Sequence, residues 1–130
     1  MEFSIQTAGA KEILDITPSV AQAVAKSGAQ DGICLIYVPH ATAGIIINEF
    51  EPNIGSDYLS AFERLFPKGN WRHNEIDSNA EAHLKSAALG PGKCVPISGS
   101  RMVLGAWQRI LLCEFDGPRK RRVIVKVVGK

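Results

Sequence analysis

The chain has 130 residues, of which 45% are hydrophobic and 22% charged, and its formal net charge is +2 at pH 7. These values are typical of one compact domain over residues 1–130, and they exclude a fully disordered chain, which would combine low hydrophobicity with high net charge. No apolar run approaches the roughly 20 residues that span a bilayer. Residues 1–4 contain no basic region that leads into an apolar stretch, so no signal peptide is predicted. The composition therefore predicts a cytoplasmic protein with no membrane segment.

The first half of the chain predicts strands around one helix. Apolar and polar side chains alternate over residues 3–7, and residues 13, 14 and 16 are apolar. These patterns predict two short strands that pair as a hairpin. Thr17 and Pro18 predict the start of a helix, with Thr17 as its cap, and Gly28 predicts its end. The run 33–38 is apolar at every position, which predicts a central strand covered on both faces, and 45–49 predicts another buried strand.

The second half places two more helices before a series of strands. A helix is expected over about 52–66, followed by an irregular loop at 68–79. Ser78 and Glu81 fit a capping box that starts a third helix, which ends near Leu89. Strands are predicted at 94–97, 102–104, 108–115 and 123–128. Helices in the middle and strands at the end predict an α+β fold, rich in β structure, with antiparallel or mixed sheets flanked by about three helices.

Two sets of residues have plain structural interpretations. The three cysteines, Cys34, Cys94 and Cys113, are widely spaced in apolar surroundings, which predicts buried, reduced thiols and no thiol nucleophile. The basic run 119–122 is interpreted as a solvated turn whose charges discourage edge pairing. Contact with phosphate or nucleic acid is the alternative for this run, but a net charge of +2 gives it little support.

The three histidines are the main candidates for a functional site. His40 follows a strong strand, His73 lies in a polar loop, and His83 lies on the third helix. Three neutral imidazoles would suit Zn²⁺ or a similar divalent ion with one open position. Glu49, Glu75 or Asp77 could orient the rings or complete the coordination, although no HExxH motif is present. The hypothesis is one shared site for a metal ion or an anion.

A second group of residues is basic and hydroxylic. Such groups make charge-assisted hydrogen bonds to phosphate or carboxylate, and ordinary exposed β-turns are the alternative interpretation. Neither a P-loop nor a dinucleotide-binding glycine motif is present. The candidates for binding a small phosphorylated or anionic ligand are Lys85, Ser86, Ser98, Arg101, Trp107 and Gln108.

Six motifs together resemble the YjbQ-like family, whose members are often named secondary thiamine-phosphate synthases. They occur in the expected order over about residues 33–129: HATAGI at 40–45, NE at 48–49, WRHNE at 71–75, AHLKS at 82–86, LGP at 89–91, and GAWQ at 105–108 with CEFDG at 113–117. The resemblance implies a β-rich α+β fold and a homotrimer. It also places His40, His73 and His83 in a polar pocket near a subunit boundary.

The resemblance also implies an activity, the weak coupling of a pyrimidine pyrophosphate to a thiazole phosphate. The candidate catalytic residues are His40, His83, Glu75 and Lys85. In this reaction Lys85, Arg101 or a divalent ion such as Mg²⁺ would stabilise the leaving pyrophosphate. Two departures from the family pattern bear on this: Ala41 stands where a second threonine is common, and 76–79 lacks a run of aspartates. Two alternatives stay open, a histidine-coordinated metal-dependent hydrolase or lyase with Glu75 or Glu49 as base, and a non-catalytic module for a small anion or metabolite.

Overall fold

A computed structural model describes residues 1–130 and confirms the α+β class, with three α-helices and two antiparallel sheets. None of the helices combines the length and the hydrophobicity that a membrane-spanning segment needs. In chain order the elements are β1 (Glu2–Gln6), β2 (Glu12–Asp15), α1 (Thr17–Ser27), β3 (Asp31–Tyr37), β4 (Ala43–Asn48), α2 (Pro52–Leu65), a short 3₁₀ helix (Arg72–Glu75), α3 (Ala80–Leu89), β5 (Gly92–Ser98), β6 (Arg101–Met102), β7 (Arg109–Glu114) and β8 (Lys120–Gly129).

The strands form a five-stranded sheet in the order β1-β8-β3-β5-β6 and a three-stranded sheet in the order β2-β7-β4. The predicted hairpin of the first two strands is therefore wrong. β1 pairs with β8 and β2 pairs with β7, so consecutive strands belong to different sheets. Both partners lie near the end of the chain, and local periodicity carries no information about such distant pairing.

The main core lies between the two sheets and is closed by α1. β7 shows how the layers form: Ile110 and Leu112 point into this core, while Cys113 points the other way into a second cluster. That cluster includes Phe62 of α2 and Ala82 of α3, so these helices cover the outer face of the small sheet. Alternate residues of β7 are thus buried on opposite sides, as the pleat of a strand requires.

β3 is central in the large sheet, but the prediction that it is covered on both faces is wrong. Its burial alternates, with Cys34 and Ile36 fully buried, while Ile33 is 49% and Tyr37 38% exposed. β7 is the strand that is buried on both faces. The outer face of the large sheet is left without a covering layer in the single chain.

The caps at the start of two helices differ from the prediction. Thr17 is not the cap of α1: its own N–H donates to Asp15 Oδ1 (3.0 Å), and its hydroxyl accepts from the N–H of Ile110 (2.8 Å). The capping box at Ser78 does not form either, because the N–H of Ala80 donates to Asn74 Oδ1 (3.1 Å). In both cases a neighbouring side chain replaces the predicted one as partner for the first turn.

The cysteines are all free, and one of them corrects the prediction. Cys34 and Cys113 are buried, and burial raises the pKa of the Cys113 thiol to about 12 and that of Cys34 to about 11. Neither thiol ionises appreciably near neutral pH, so neither is an activated nucleophile. Cys94, which was predicted to be buried, is exposed on β5.

The basic run 119–122 is not a solvated turn throughout. Arg121 is 1% exposed and forms an ion pair with Glu114, which is fully buried. The guanidinium of Arg121 also donates to the Thr42 hydroxyl (2.9 Å), and the Thr7 hydroxyl donates to Glu114 Oε1 (2.7 Å). Because β8 alternates its side chains, Arg121 points inward while Arg122 points to solvent and pairs with Glu2.

Arg121→Met is expected to destabilise the chain by about 3–5 kcal/mol, because it leaves the Glu114 charge buried without its partner. Arg122→Met is the matched control, since the adjacent arginine forms only an exposed pair, and its free energy of unfolding should stay close to that of the wild type. Urea unfolding measures both. Equal stability of the two variants would contradict a structural role for the buried pair.

Candidate functional site

A cleft of about 680 Å³ opens where the chain passes from the large sheet to the small one. One wall is formed by residues 37–41, which leave β3 and include His40. The other wall is formed by α3 and the residues after it, with His83, Ser86, Ala87 and Pro91. We call this cleft the His40 cleft.

Backbone and side-chain hydrogen bonds hold the two walls together. The N–H of Val38 donates to the carbonyl of Pro91 (2.8 Å), which joins the end of β3 to the residues after α3. The Ser86 hydroxyl donates to the carbonyl of Ala43 (2.6 Å). At Gly44 a Cβ would lie 3.2 Å from the Cβ of Leu89, so glycine permits this close packing of α3 on β4. The Ser86 oxygen, having donated its proton, can only accept from a ligand.

The protonation of His40 is set by a backbone contact. Its Nε2 lies 2.8 Å from the amide nitrogen of Arg122, and an amide N–H can only donate. Nε2 therefore carries no proton, and the neutral ring must hold its proton on Nδ1. This Nδ1–H makes no hydrogen bond within the chain, so the wall of the cleft offers a donor to a ligand.

The surroundings of His40 keep its ring neutral. Burial is the largest cause that lowers its pKa below 6.5, followed by the positive charges of Arg121 and Arg122, with Arg119 adding a smaller effect. Glu114 acts in the opposite direction and does not outweigh them. Near pH 7 the ring is therefore an uncharged donor in an electropositive environment.

His73 and His83 form a second arrangement beside the first. Their ring centroids are 4.8 Å apart, with an interplanar angle of 76°. They share a cleft of about 330 Å³ with Trp71, Arg72 and Leu84, which we call the His73 cleft. His83 lines both clefts and stands between them.

A hydrogen-bonded chain sets the tautomer of His73. Asn79 Nδ2 donates to Asp116 Oδ2 (2.8 Å), which leaves Asn79 Oδ1 as the acceptor that faces His73 Nε2 (2.9 Å). Nε2 of His73 must therefore carry the proton, and Nδ1 keeps its lone pair. His83 makes no side-chain hydrogen bond within the chain, so either of its nitrogens can bind a ligand.

The predicted metal site of His40, His73 and His83 is not formed within the chain. No group of three or more His, Cys, Asp or Glu side chains is placed to hold a metal ion. The physical reason lies at His40, where the amide of Arg122 occupies one nitrogen and the proton occupies the other. The three histidines form two neighbouring arrangements that share His83.

Lys85 and Glu75, which were predicted to be catalytic, line neither cleft. Lys85 is 1% exposed, forms an ion pair with Glu63, and lies 5.7 Å from the ring centroid of Phe115. Burial raises the pKa of Glu63, but the hydrogen bonds from Lys11 and Lys85 together lower it further, so the net shift is downward. Lys85 thus fastens α3 to α2, and Glu75 lies exposed in the 3₁₀ helix.

The other predicted anion-binding residues line neither cleft. β5 runs antiparallel to β3, with Gly92 opposite Tyr37 near the His40 cleft and Ser98 opposite Asp31 at the far end. Seven residues of strand place these ends about 20 Å apart. The residues in question, all exposed, are Ser98, Arg101, Trp107 and Gln108.

Sequence reasoning missed the residues that hold His40 in place. These are Thr42, Glu114, Arg121 and the amide of Arg122. One signal was available: Arg121 alternates in step with Val123 and Val125, and Glu114 in step with Ile110 and Leu112. A charged residue in phase with core positions on two strands indicates a buried pair.

Comparison with known proteins matches the whole chain to one family. A family model described as "UPF0047 protein YjbQ-like" matches residues 1–130. A UPF0047 protein of Archaeoglobus fulgidus is 46% identical over 129 residues, covering 98% of this chain and 100% of that protein. The UPF0047 protein YugU of Bacillus subtilis is 40% identical over 131 residues, covering 98% of this chain and 97% of that protein.

Solved structures share the fold closely. A YbjQ-like protein of unknown function from Sulfolobus solfataricus superposes with a TM-score of 0.98 at 41% identity, covering 100% of this chain and 96% of that one. A hypothetical protein from Aeropyrum pernix gives a TM-score of 0.97 at 38% identity, covering 100% of this chain and 98% of that one. These matches support the fold described above along its full length.

The lowered pKa of His40 predicts a loss of stability in acid. The unfolded chain, with an ordinary histidine pKa, takes up this proton more readily than the folded chain. The contribution of His40 is therefore complete above about pH 6.5 and is lost as the pH falls from there through the folded pKa. Urea unfolding between pH 5 and 8 should show a smaller pH dependence for His40→Gln than for the wild type.

The same prediction has a direct spectroscopic test. Long-range ¹⁵N–¹H spectra of the wild type should show His40 as the Nδ1–H tautomer, titrating below pH 6.5. A proton on Nε2, or a midpoint above 6.5, would contradict both the contact with Arg122 and the lowered pKa.

Proposed function

The chain belongs to the YjbQ-like UPF0047 family, and we propose that its His40 cleft binds the phosphate or carboxylate group of a small molecule. The observation that carries this proposal is the hydrogen bond from the Arg122 amide to His40 Nε2. It leaves Nδ1–H as an unused donor on the wall of a cleft, where an anionic oxygen can accept it.

Charge and size support the same ligand class. The arginines at 119, 121 and 122 lower the pKa of His40, which means that its ring lies in a positive potential. Glu114, the one charged group that raises the pKa of His40, is already paired with Arg121. A cleft of about 680 Å³ lies within the roughly 300–1,000 Å³ of small-molecule sites. Tyr37, Pro39 and Pro91 provide apolar wall for the organic part of the ligand.

Two other functions receive less support from the geometry. Pyrophosphate transfer by a thiamine-phosphate synthase needs cations at the leaving group, yet Lys85 is paired with Glu63 and Arg101 lies at the far end of the sheet. A hydrolase or lyase would need a base beside the site, and neither Glu75 nor Glu49 lines either cleft. We therefore favour a module that binds a small anion or metabolite.

The basic run gives nucleic-acid binding little support. Arg121 is buried, Arg119 pairs with Asp116, and Arg122 pairs with Glu2. Binding to a nucleic-acid backbone depends on cations that can reach the phosphates. Here only Lys120 forms no ion pair within the chain.

The homotrimer and the cytoplasmic location stay predictions. The exposed outer face of the large sheet supports self-association, because Ile33 and Val128, which are paired in register, are 49% and 60% exposed. Tyr37 lies on the same strand as Ile33 and also lines the His40 cleft. A second copy on this face would therefore come close to the cleft.

We expect inorganic phosphate and pyrophosphate to bind the wild type in calorimetric titrations, and His40→Ala to weaken binding. A hydrogen bond to a charged group contributes about 1.5–3 kcal/mol, which corresponds to roughly 10- to 100-fold in affinity. Arg101→Ala is the control and should bind as the wild type does. Circular dichroism confirms that each variant is folded. Binding that survives His40→Ala but is lost in Arg101→Ala would place the anion elsewhere.

Thiamine-phosphate synthesis can be tested at the same cleft. With a pyrimidine pyrophosphate and a thiazole phosphate as substrates, release of pyrophosphate measures the reaction. If the His40 cleft holds the substrates, His83→Ala should slow the release by at least about tenfold, because the cleft then lacks one of the groups that position them. Release at the wild-type rate in both His83→Ala and His40→Ala would exclude this cleft as the site of that reaction.

A further inference from the structure

We infer that His73 and His83 together bind a divalent transition-metal ion such as Zn²⁺. His73 Nδ1 and one ring nitrogen of His83 are its two ligands from the chain. This site lies in the His73 cleft and is distinct from the anion site at His40. The inference does not depend on the proposed function, because metal binding can be measured in the absence of any anion.

The tautomer of His73 is the one that a metal ligand needs. A ligating imidazole usually donates its second N–H to an oxygen, which fixes the ring and raises the basicity of the ligating nitrogen. His73 does this through Asn79, whose amide is in turn held by Asp116. Asp116 is itself fixed by the guanidinium of Arg119 at 3.1 Å. The lone pair of His73 Nδ1 is therefore oriented by a chain of three supporting side chains.

The separation of the two rings also fits a shared ion. Zinc–nitrogen bonds are about 2.0–2.1 Å, so two imidazoles on one tetrahedral ion have ring centroids roughly 5 Å apart. The observed distance between the His73 and His83 centroids is 4.8 Å. His83 forms no competing hydrogen bond, so its ring can turn a nitrogen toward the ion without losing a partner.

His40 takes no part, because the amide of Arg122 occupies its Nε2 and the proton on Nδ1 leaves no free lone pair for a metal ion. Two protein ligands leave the remaining coordination positions to water or to a bound anion. Since His83 lines both clefts, an ion held by it would lie beside the His40 cleft and add positive charge there. Arg72 also lines the His73 cleft, and its like charge opposes the binding of a cation.

The test is Zn²⁺ binding by untagged protein at neutral pH, measured by competition with a chromophoric chelator. We expect one ion per chain, with affinity lowered at least about tenfold in His73→Phe and in His83→Phe, which keep a ring but lose the ligand. Asn79→Ala, which removes the support of His73, should also lower the affinity. Arg72→Ala should raise it, and His40→Phe should leave it unchanged.

Urea unfolding of each variant confirms that a loss of binding is not a loss of fold. Three results would overturn the inference: no binding of Zn²⁺ by the wild type at millimolar concentration, wild-type affinity in both His73→Phe and His83→Phe, or an equal loss in His40→Phe. A failure here leaves the anion site intact, because phosphate binding is tested through His40→Ala. The two proposals therefore fail separately.

Discussion

The buried ion pair between Arg121 and Glu114 is the constraint on which the candidate site depends. It joins β8 of the large sheet to β7 of the small sheet, and its guanidinium reaches across to Thr42 in the connection between β3 and β4. Removing either partner would leave a charge in the interior, which costs far more than the loss of a surface contact. The next residue, Arg122, presents its backbone amide to His40. Two consecutive positions on one strand thus hold the sheets together and set the protonation of the histidine.

The hydrogen-bond partners of the three histidines explain why these residues differ in chemistry. A backbone donor makes His40 a neutral N–H donor, whereas an amide acceptor makes His73 a lone-pair donor. His83 has no such partner and can serve either cleft. The partner of the second ring nitrogen decides what the first can do. The proposed anion and the proposed metal ion therefore belong to adjacent clefts and are not competing descriptions of one site.

Much of the fold can be predicted from local sequence patterns, whereas the pairing of strands that are distant in the chain cannot. The bounds of α1, the central position of β3 and the α+β class could be predicted because periodicity and helix-end signals act over short distances. The pairing of β1 with β8 could not, because it joins residues more than a hundred positions apart. The run 119–122, taken as one block of charge, predicts a solvated turn that includes Arg121. Arg121 alternates in step with the apolar residues Val123 and Val125. Considered residue by residue, the sequence therefore predicts that the Arg121 side chain points inward.

The predicted anion-binding residues show a different limit of prediction from sequence. Ser98 ends a strand that begins at the His40 cleft and Arg101 follows it, but composition does not tell in which direction that strand runs from the site. The antiparallel pairing of β5 with β3 carries them to the opposite end of the sheet. Within one chain Arg101 therefore cannot act on a ligand that His40 holds. Joint action of the two residues would require Arg101 from a second copy of the chain.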